Sequence, residues 1–77
     1  MEFNGWEILG KIRKVIKIIE SDGWYLKRVS GDHRQYAHAV KGGVVTVSGH
    51  LDDDVMRGTM ISILKQAGIK KEGGLTW

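Results

Sequence analysis

Two stretches of the chain carry apolar residues at the spacing of an amphipathic helix. The apolar face of the first consists of Ile8, Ile12, Val15, Ile16 and Ile19. This stretch predicts a helix over 11–21, with room for one further turn before it, and Gly23 suits the left-handed position that follows a helix. The second stretch predicts a helix over 58–67, which Gly68 ends in the same way.

Between the predicted helices the pattern changes to an alternation of period two, which is typical of strands. It predicts three strands, over 24–29, 33–39 and 44–47. Ser-Gly-Asp at 30–32 has the composition of a tight turn, and Lys-Gly-Gly at 41–43 indicates a hairpin. Residues 48–56 are predicted to form a loop.

The order of elements is therefore helix, three strands, helix, which predicts an α+β domain of the arrangement α-β-β-β-α. The connections between strands are too short for parallel crossovers, so the sheet should be antiparallel. Two helices would cover one face of the sheet and leave the other open. We expect an N-terminal extension over 1–10, one domain over 11–69 and a flexible C-terminal tail over 70–77.

Composition narrows the possible functions. Twelve lysines and arginines oppose nine aspartates and glutamates, so the formal net charge is +3, which is compatible with binding nucleic acid. The chain has no cysteine, and 1–10 lacks the pattern of a signal peptide. No apolar run approaches the roughly 20 residues that span a bilayer, so we expect a cytoplasmic protein with no membrane partner. In so small a domain, an active site should be shallow and suited to a polymer or to another protein.

His33 is the sharpest candidate for catalysis, because it follows a tight turn at the start of a predicted strand. An imidazole can give or take a proton near neutral pH, and RNA cleavage needs a base for the 2′-hydroxyl and cations for the phosphate. Lys27, Arg28 and Arg34 lie near this turn and are the predicted RNA-binding residues. From spacing alone, a histidine that merely fills a strand position is the favoured interpretation.

The other candidates are interpreted without a catalytic role, and His38 is predicted to be either structural or a surface residue. His38 lies five positions after His33 on one predicted strand, so the two should face opposite sides of the sheet. His50 falls in the predicted loop, from which it could approach the sheet, and ordinary loop polarity is the favoured interpretation. The carboxylates at 52–54 are adjacent and diverge, so they predict a favourable interaction with the following helix N-terminus rather than a metal site. No metal and no cofactor is predicted.

Four motifs in order resemble the HicA toxin family, also called the YcfA-like family, over about 14–69. The first is Asp-Gly-Trp at 22–24. The second is Arg-Val-Ser-Gly-Asp-His at 28–33, similar to the family's Arg-x-x-Gly-Ser-His. Val-Thr-Val-Ser-Gly-His at 45–50 is similar to Val-Thr-Val-Pro-x-His, and 58–68 is close to the family's closing helix.

The resemblance implies a fold similar to double-stranded-RNA-binding domains, cleavage of mRNA, and neutralisation by a HicB-type antitoxin. It implies that His33 is catalytic, and that Gly31 and Asp32 form the turn that positions it. The chain departs from the family pattern at Asp32, where Ser is usual, at Arg34, where a second histidine is common, and at Ser48, which replaces Pro.

The main interpretation is thus a metal-independent endoribonuclease toxin, monomeric when alone, whose partners are mRNA and the antitoxin. The alternative is an inactive module of the same fold that binds RNA or antitoxin. The retained His33, with cations around it, favours the enzyme. A purely structural interaction domain would leave the turn at 31–33 unexplained.

Overall fold

The computed structural model of the protein describes residues 8–69. Its elements, in chain order, are β1 (Ile8–Lys11), α1 (Ile12–Ser21), β2 (Trp24–Ser30), β3 (His33–His38), β4 (Val45–Ser48), β5 (Asp54–Met56) and α2 (Arg57–Gln66). The predicted tail over 70–77, and the first seven residues of the predicted N-terminal extension, lie outside the described residues.

The predicted α+β fold is confirmed. Strands β2, β3 and β4 form an antiparallel sheet with β3 in the centre, and the two helices pack on it. Alternate residues of the sheet face the helices, so Tyr36, Val45 and Val47 are buried while Thr46 between them is exposed. The core from the helices consists of Ile12, Val15, Ile16, Ile19, Met60, Ile63, Leu64 and Ala67.

A second, two-stranded sheet was not predicted from the sequence. Strand β1 pairs with β5 in antiparallel fashion, so the optional extra helical turn before 11 is wrong, and the predicted loop over 48–56 is wrong at its last three residues. The physical reason lies in Gly10, whose φ of +135° is incompatible with a helix, and in Lys11, whose backbone is extended. Val55 in β5 is buried, so this strand also contributes a side chain to the core.

Lys41, in the hairpin between β3 and β4, joins the ends of both helices. Its Nζ donates to the carbonyl oxygens of Ala67 (3.0 Å) and Gly68 (3.1 Å) after α2. The same ammonium is paired with the carboxylate of Asp22, the residue that follows α1. Backbone carbonyls at helix ends lack partners within the helix, and here one lysine satisfies two of them.

His38 reinforces this junction, so of the two predicted roles, structural or surface, the structural one is confirmed. Its Nδ1 accepts the backbone N–H groups of Val40 and Lys41, both at 3.0 Å, so its proton lies on Nε2. Nε2 then donates to the carbonyl oxygen of Asp22 at 2.7 Å. A Cβ on Gly23 would lie 2.7 Å from this Nε2, and the φ of Gly23 is +104°, so no other residue fits between the helix and the ring.

We predict that replacing Lys41 by Met lowers the free energy of unfolding by about 1–2 kcal/mol and Tm by roughly 5–15 °C, because two helix-end carbonyls lose a charged donor. The hydrogen bond from Lys41 also holds the pKa of Asp22 below its ordinary value. That contribution is present above the ordinary carboxyl range and is lost as the pH falls through the lowered pKa. The Tm difference should therefore narrow in acid.

Thermal unfolding followed by circular dichroism, from neutral pH into the acid range, measures this difference. The matched control is Lys17→Met, which removes an exposed lysine of α1 and should leave Tm unchanged. Equal Tm values for the wild type and the Lys41 variant at neutral pH would show that this lysine does not hold the helix ends.

Candidate functional site

The turn between β2 and β3 presents His33 to solvent. The chain reverses over Gly31 and Asp32, and the last residue of β2, Ser30, is paired with the first residue of β3, His33. Gly31 has a φ of +60°, the left-handed region that other residues rarely adopt, which explains the glycine of the sequence motif. The side chain of His33 is 60% exposed.

The two faces of β3 have different roles. Tyr36 is buried beneath the helices, so Arg34 and His38, at the same parity, lie on the helix side of the sheet. His33 and Gln35 lie on the open face. The prediction that His33 and His38 face opposite sides is confirmed. Gln35 is paired with Arg28 on one side and with Thr46 on the other, so these polar residues extend the His33 surface across three strands.

A bulge in β2 sets which cations share this face. Leu26 is paired with Tyr36, and Arg28 with Gln35, so Lys27 is the extra residue on the bulged strand. Because of the bulge, Arg28 lies on the open face with His33, although simple alternation from Trp24 would place it on the helix side. Lys27 and Arg28 are both exposed.

Asp32 places a carboxylate beside the imidazole. Its Oδ1 lies 3.4 Å from Nε2 of His33, and both side chains are about half exposed. This distance is longer than a good hydrogen bond, but it is short enough for the carboxylate to attract a protonated ring. The departure from the serine of the family motif therefore adds a negative charge directly at the candidate catalytic group.

Arg34 is not brought together with His33 on the open face. It is half-buried on the helix side, between Val29 of β2 and Val47 of β4 in the strand register. Its Nη1 donates to the carbonyl oxygen of Gly49 at 2.8 Å. The predicted set of three RNA-binding cations is thus divided between the two sides of the sheet.

The segment 49–53 links the His33 turn to the start of α1. The N–H of Gly49 donates to the carbonyl oxygen of Asp32 at 3.0 Å. At the other end of the segment, the carbonyls of Leu51 and Asp53 accept the first N–H groups of α1, at 3.1 and 2.9 Å. These helix N–H groups lack partners within the helix, so the segment caps α1 while it supports the turn.

The acidic residues at 52–54 precede α2, whose first turn contains no acid and has no side-chain cap. Asp52 is paired with Arg13, and Asp54 with Lys11 at 2.7 Å. The hydrogen bond and charge of Asp54 raise the pKa of Lys11. The interaction with the N-terminus of α2 stays a prediction, and the ion pairs of Asp52 and Asp54 are with basic residues at the start of α1.

Two further properties concern residues 8–69 only. No group of three or more histidine, cysteine, aspartate or glutamate side chains in this part of the chain could hold a metal ion. None of its helices is both long and apolar enough to cross a membrane.

The sheet with its two helices, and an exposed histidine turn on its open face, define a small α+β domain. Residues 12–69 match the family model described as the HicA toxin of bacterial toxin-antitoxin. Since this match covers most of the chain, the protein belongs to the HicA toxin family and is a toxin of a toxin-antitoxin system. A comparison with curated proteins gave no match.

Proposed function

We propose that the protein is an endoribonuclease that cleaves mRNA, with His33 as general base and acid. The observation that carries this proposal is the exposed imidazole on the open face of the sheet, beside the carboxylate of Asp32 and on the same face as Arg28. An open sheet surface can accept a single RNA strand, which a small domain could not enclose. We also propose that the toxin acts in the cytoplasm and is a monomer when its antitoxin is absent.

The chemistry requires few groups. The imidazole of His33 takes the proton of a ribose 2′-hydroxyl, and the resulting oxygen forms a bond to the adjacent phosphorus. The bond between phosphorus and the 5′-oxygen breaks, and this oxygen takes a proton from the imidazolium. The carboxylate of Asp32 stabilises the positively charged ring between the two proton transfers, and Arg28 with Lys27 offsets the charge that builds on the phosphate.

We expect His33→Ala to lower the rate of RNA cleavage by about 10²–10⁴, the usual cost of losing a general acid–base group, and to abolish toxicity. The side chain is exposed, so the variant should fold as the wild type does. Cleavage of a defined RNA by purified protein, together with growth after induced expression, measures the two effects.

The matched control is His50→Ala, which removes an exposed imidazole from the neighbouring segment. It should cleave RNA as the wild type does. Wild-type cleavage by the His33 variant, or loss of cleavage only in the His50 variant, would refute the assignment. A wild-type protein that binds RNA without cleaving it would identify the protein as an inactive binding module.

A second prediction concerns the affinity for RNA, measured in the His33→Ala background so that the RNA survives. Lys27 and Arg28 should contribute phosphate contacts, so affinity should fall as salt rises, with a log–log slope of about 0.7 for each contact on single-stranded RNA. Arg28→Gln should reduce that slope. Lys65→Gln, on the helix that covers the other side of the sheet, is the control. An affinity that does not vary with salt would contradict this prediction.

The third prediction concerns the antitoxin, for which we propose a HicB-type protein. An inhibitor with acidic residues could pair with Arg28 and cover His33, using the complementarity that RNA phosphates otherwise satisfy. RNA and antitoxin should then compete for the same face of the sheet. In a titration of antitoxin into a complex of RNA with the His33→Ala toxin, RNA should be released in proportion to the antitoxin bound. A stable ternary complex with unchanged RNA affinity would exclude direct occlusion.

A further inference from the structure

Arg34 differs from the other cations near the His33 turn in both position and contact. Its side chain is on the helix side of the sheet, is half-buried, and donates from Nη1 to the carbonyl oxygen of Gly49 at 2.8 Å. Lys27 and Arg28 are exposed instead. A guanidinium in this position is directed at a backbone carbonyl behind the sheet rather than at a ligand on the open face.

The peptide group that Arg34 contacts is held from both ends. The oxygen of this peptide belongs to Gly49 and accepts a hydrogen bond from the guanidinium. Its N–H belongs to His50 and donates to Oδ2 of Asp53 at 2.9 Å. A cation at the oxygen and an anion at the N–H both match the dipole of the peptide, so the two contacts reinforce each other. Hydrogen bonds to charged groups are also roughly twice as strong as neutral ones.

Gly49 connects this peptide group to the turn before His33. Its own N–H donates to the carbonyl oxygen of Asp32, the residue before His33, at 3.0 Å. Gly49 has a φ of +101°, and a Cβ there would lie 3.1 Å from Oδ2 of Asp53, so a residue with a side chain would be strained at this point. A displacement of the peptide behind the sheet would therefore move the turn that carries the imidazole.

We propose that Arg34 is a positioning residue that sets the orientation of His33 through the backbone of Gly49 and Asp32, and that it does not bind RNA phosphate. The proposal rests on the ribonuclease function for its kinetic consequence. The positioning itself is a property of the free protein and can be tested without RNA.

The first experiment compares Arg34→Met with Arg28→Met. Arg34→Met should lower the single-turnover cleavage rate at saturating RNA by about 10–100-fold, because small misplacements of a catalytic group cost up to about that factor. In the His33→Ala background it should leave the salt slope of RNA binding unchanged. Arg28→Met should reduce that slope. If Arg34→Met reduced the slope as Arg28→Met does, Arg34 would be an RNA ligand and the proposal would be overturned.

The second experiment uses nuclear magnetic resonance on the free protein. In Arg34→Met, the amide resonance of Gly49 and the imidazole resonances of His33 should shift, whereas Arg28→Met should leave the Gly49 amide in place. Asp53→Ala removes the other contact to the same peptide and should shift the same resonances, which provides a test if Arg34→Met folds poorly. Unchanged Gly49 and His33 resonances in both variants would refute the positioning role.

The two experiments also separate this proposal from the proposed function. If the wild-type protein did not cleave RNA, the ribonuclease assignment would fail while the resonance shifts still decided whether Arg34 positions His33. If cleavage depended on His33 but neither the rate nor the resonances responded to Arg34, the positioning proposal alone would be wrong.

Discussion

The alternation of side chains along β3 is the constraint on which the rest of this structure depends. One parity of the strand places Tyr36 under the helices, where burial also raises the pKa of its hydroxyl, and the other leaves His33 and Gln35 on the open face. A slip of one residue in register would exchange these faces, exposing the core and burying the imidazole. The packing that stabilises the domain therefore also orients the candidate site.

The two ends of β3 carry histidines in contrasting environments. At the first end, the ring of His33, the proposed proton-transfer group, is exposed and lies beside the carboxylate of Asp32. At the last end, both ring nitrogens of His38 are engaged with backbone groups, and the ring packs edge-on against Trp24, whose centroid lies 5.2 Å away. The neighbouring Lys41 then holds the two helix ends. The contacts that stabilise the helix ends and the proposed catalytic group therefore lie at opposite ends of β3.

The segment 49–53 contacts both the start of α1 and the turn that carries His33. It caps α1 and contacts the His33 turn through the N–H of Gly49. The carbonyl oxygen of Gly49 also accepts a hydrogen bond from Arg34 on the helix side of the sheet. This arrangement gives a physical context to two departures from the family motifs, Asp32 and Arg34. The first adds a charge beside the imidazole, and the second adds a contact that restrains the turn.

The sequence by itself determined both helices, the three-stranded sheet and the turn at His33, because hydrophobic period and glycine position are local signals. It did not determine the pairing of β1 with β5, since each strand is short and its partner is distant along the chain. Nor did it assign Arg28 to the open face and Arg34 to the helix side. That division follows from a bulge at Lys27 and from burial beneath the helices, and both are decided only when the strands pair and the core closes.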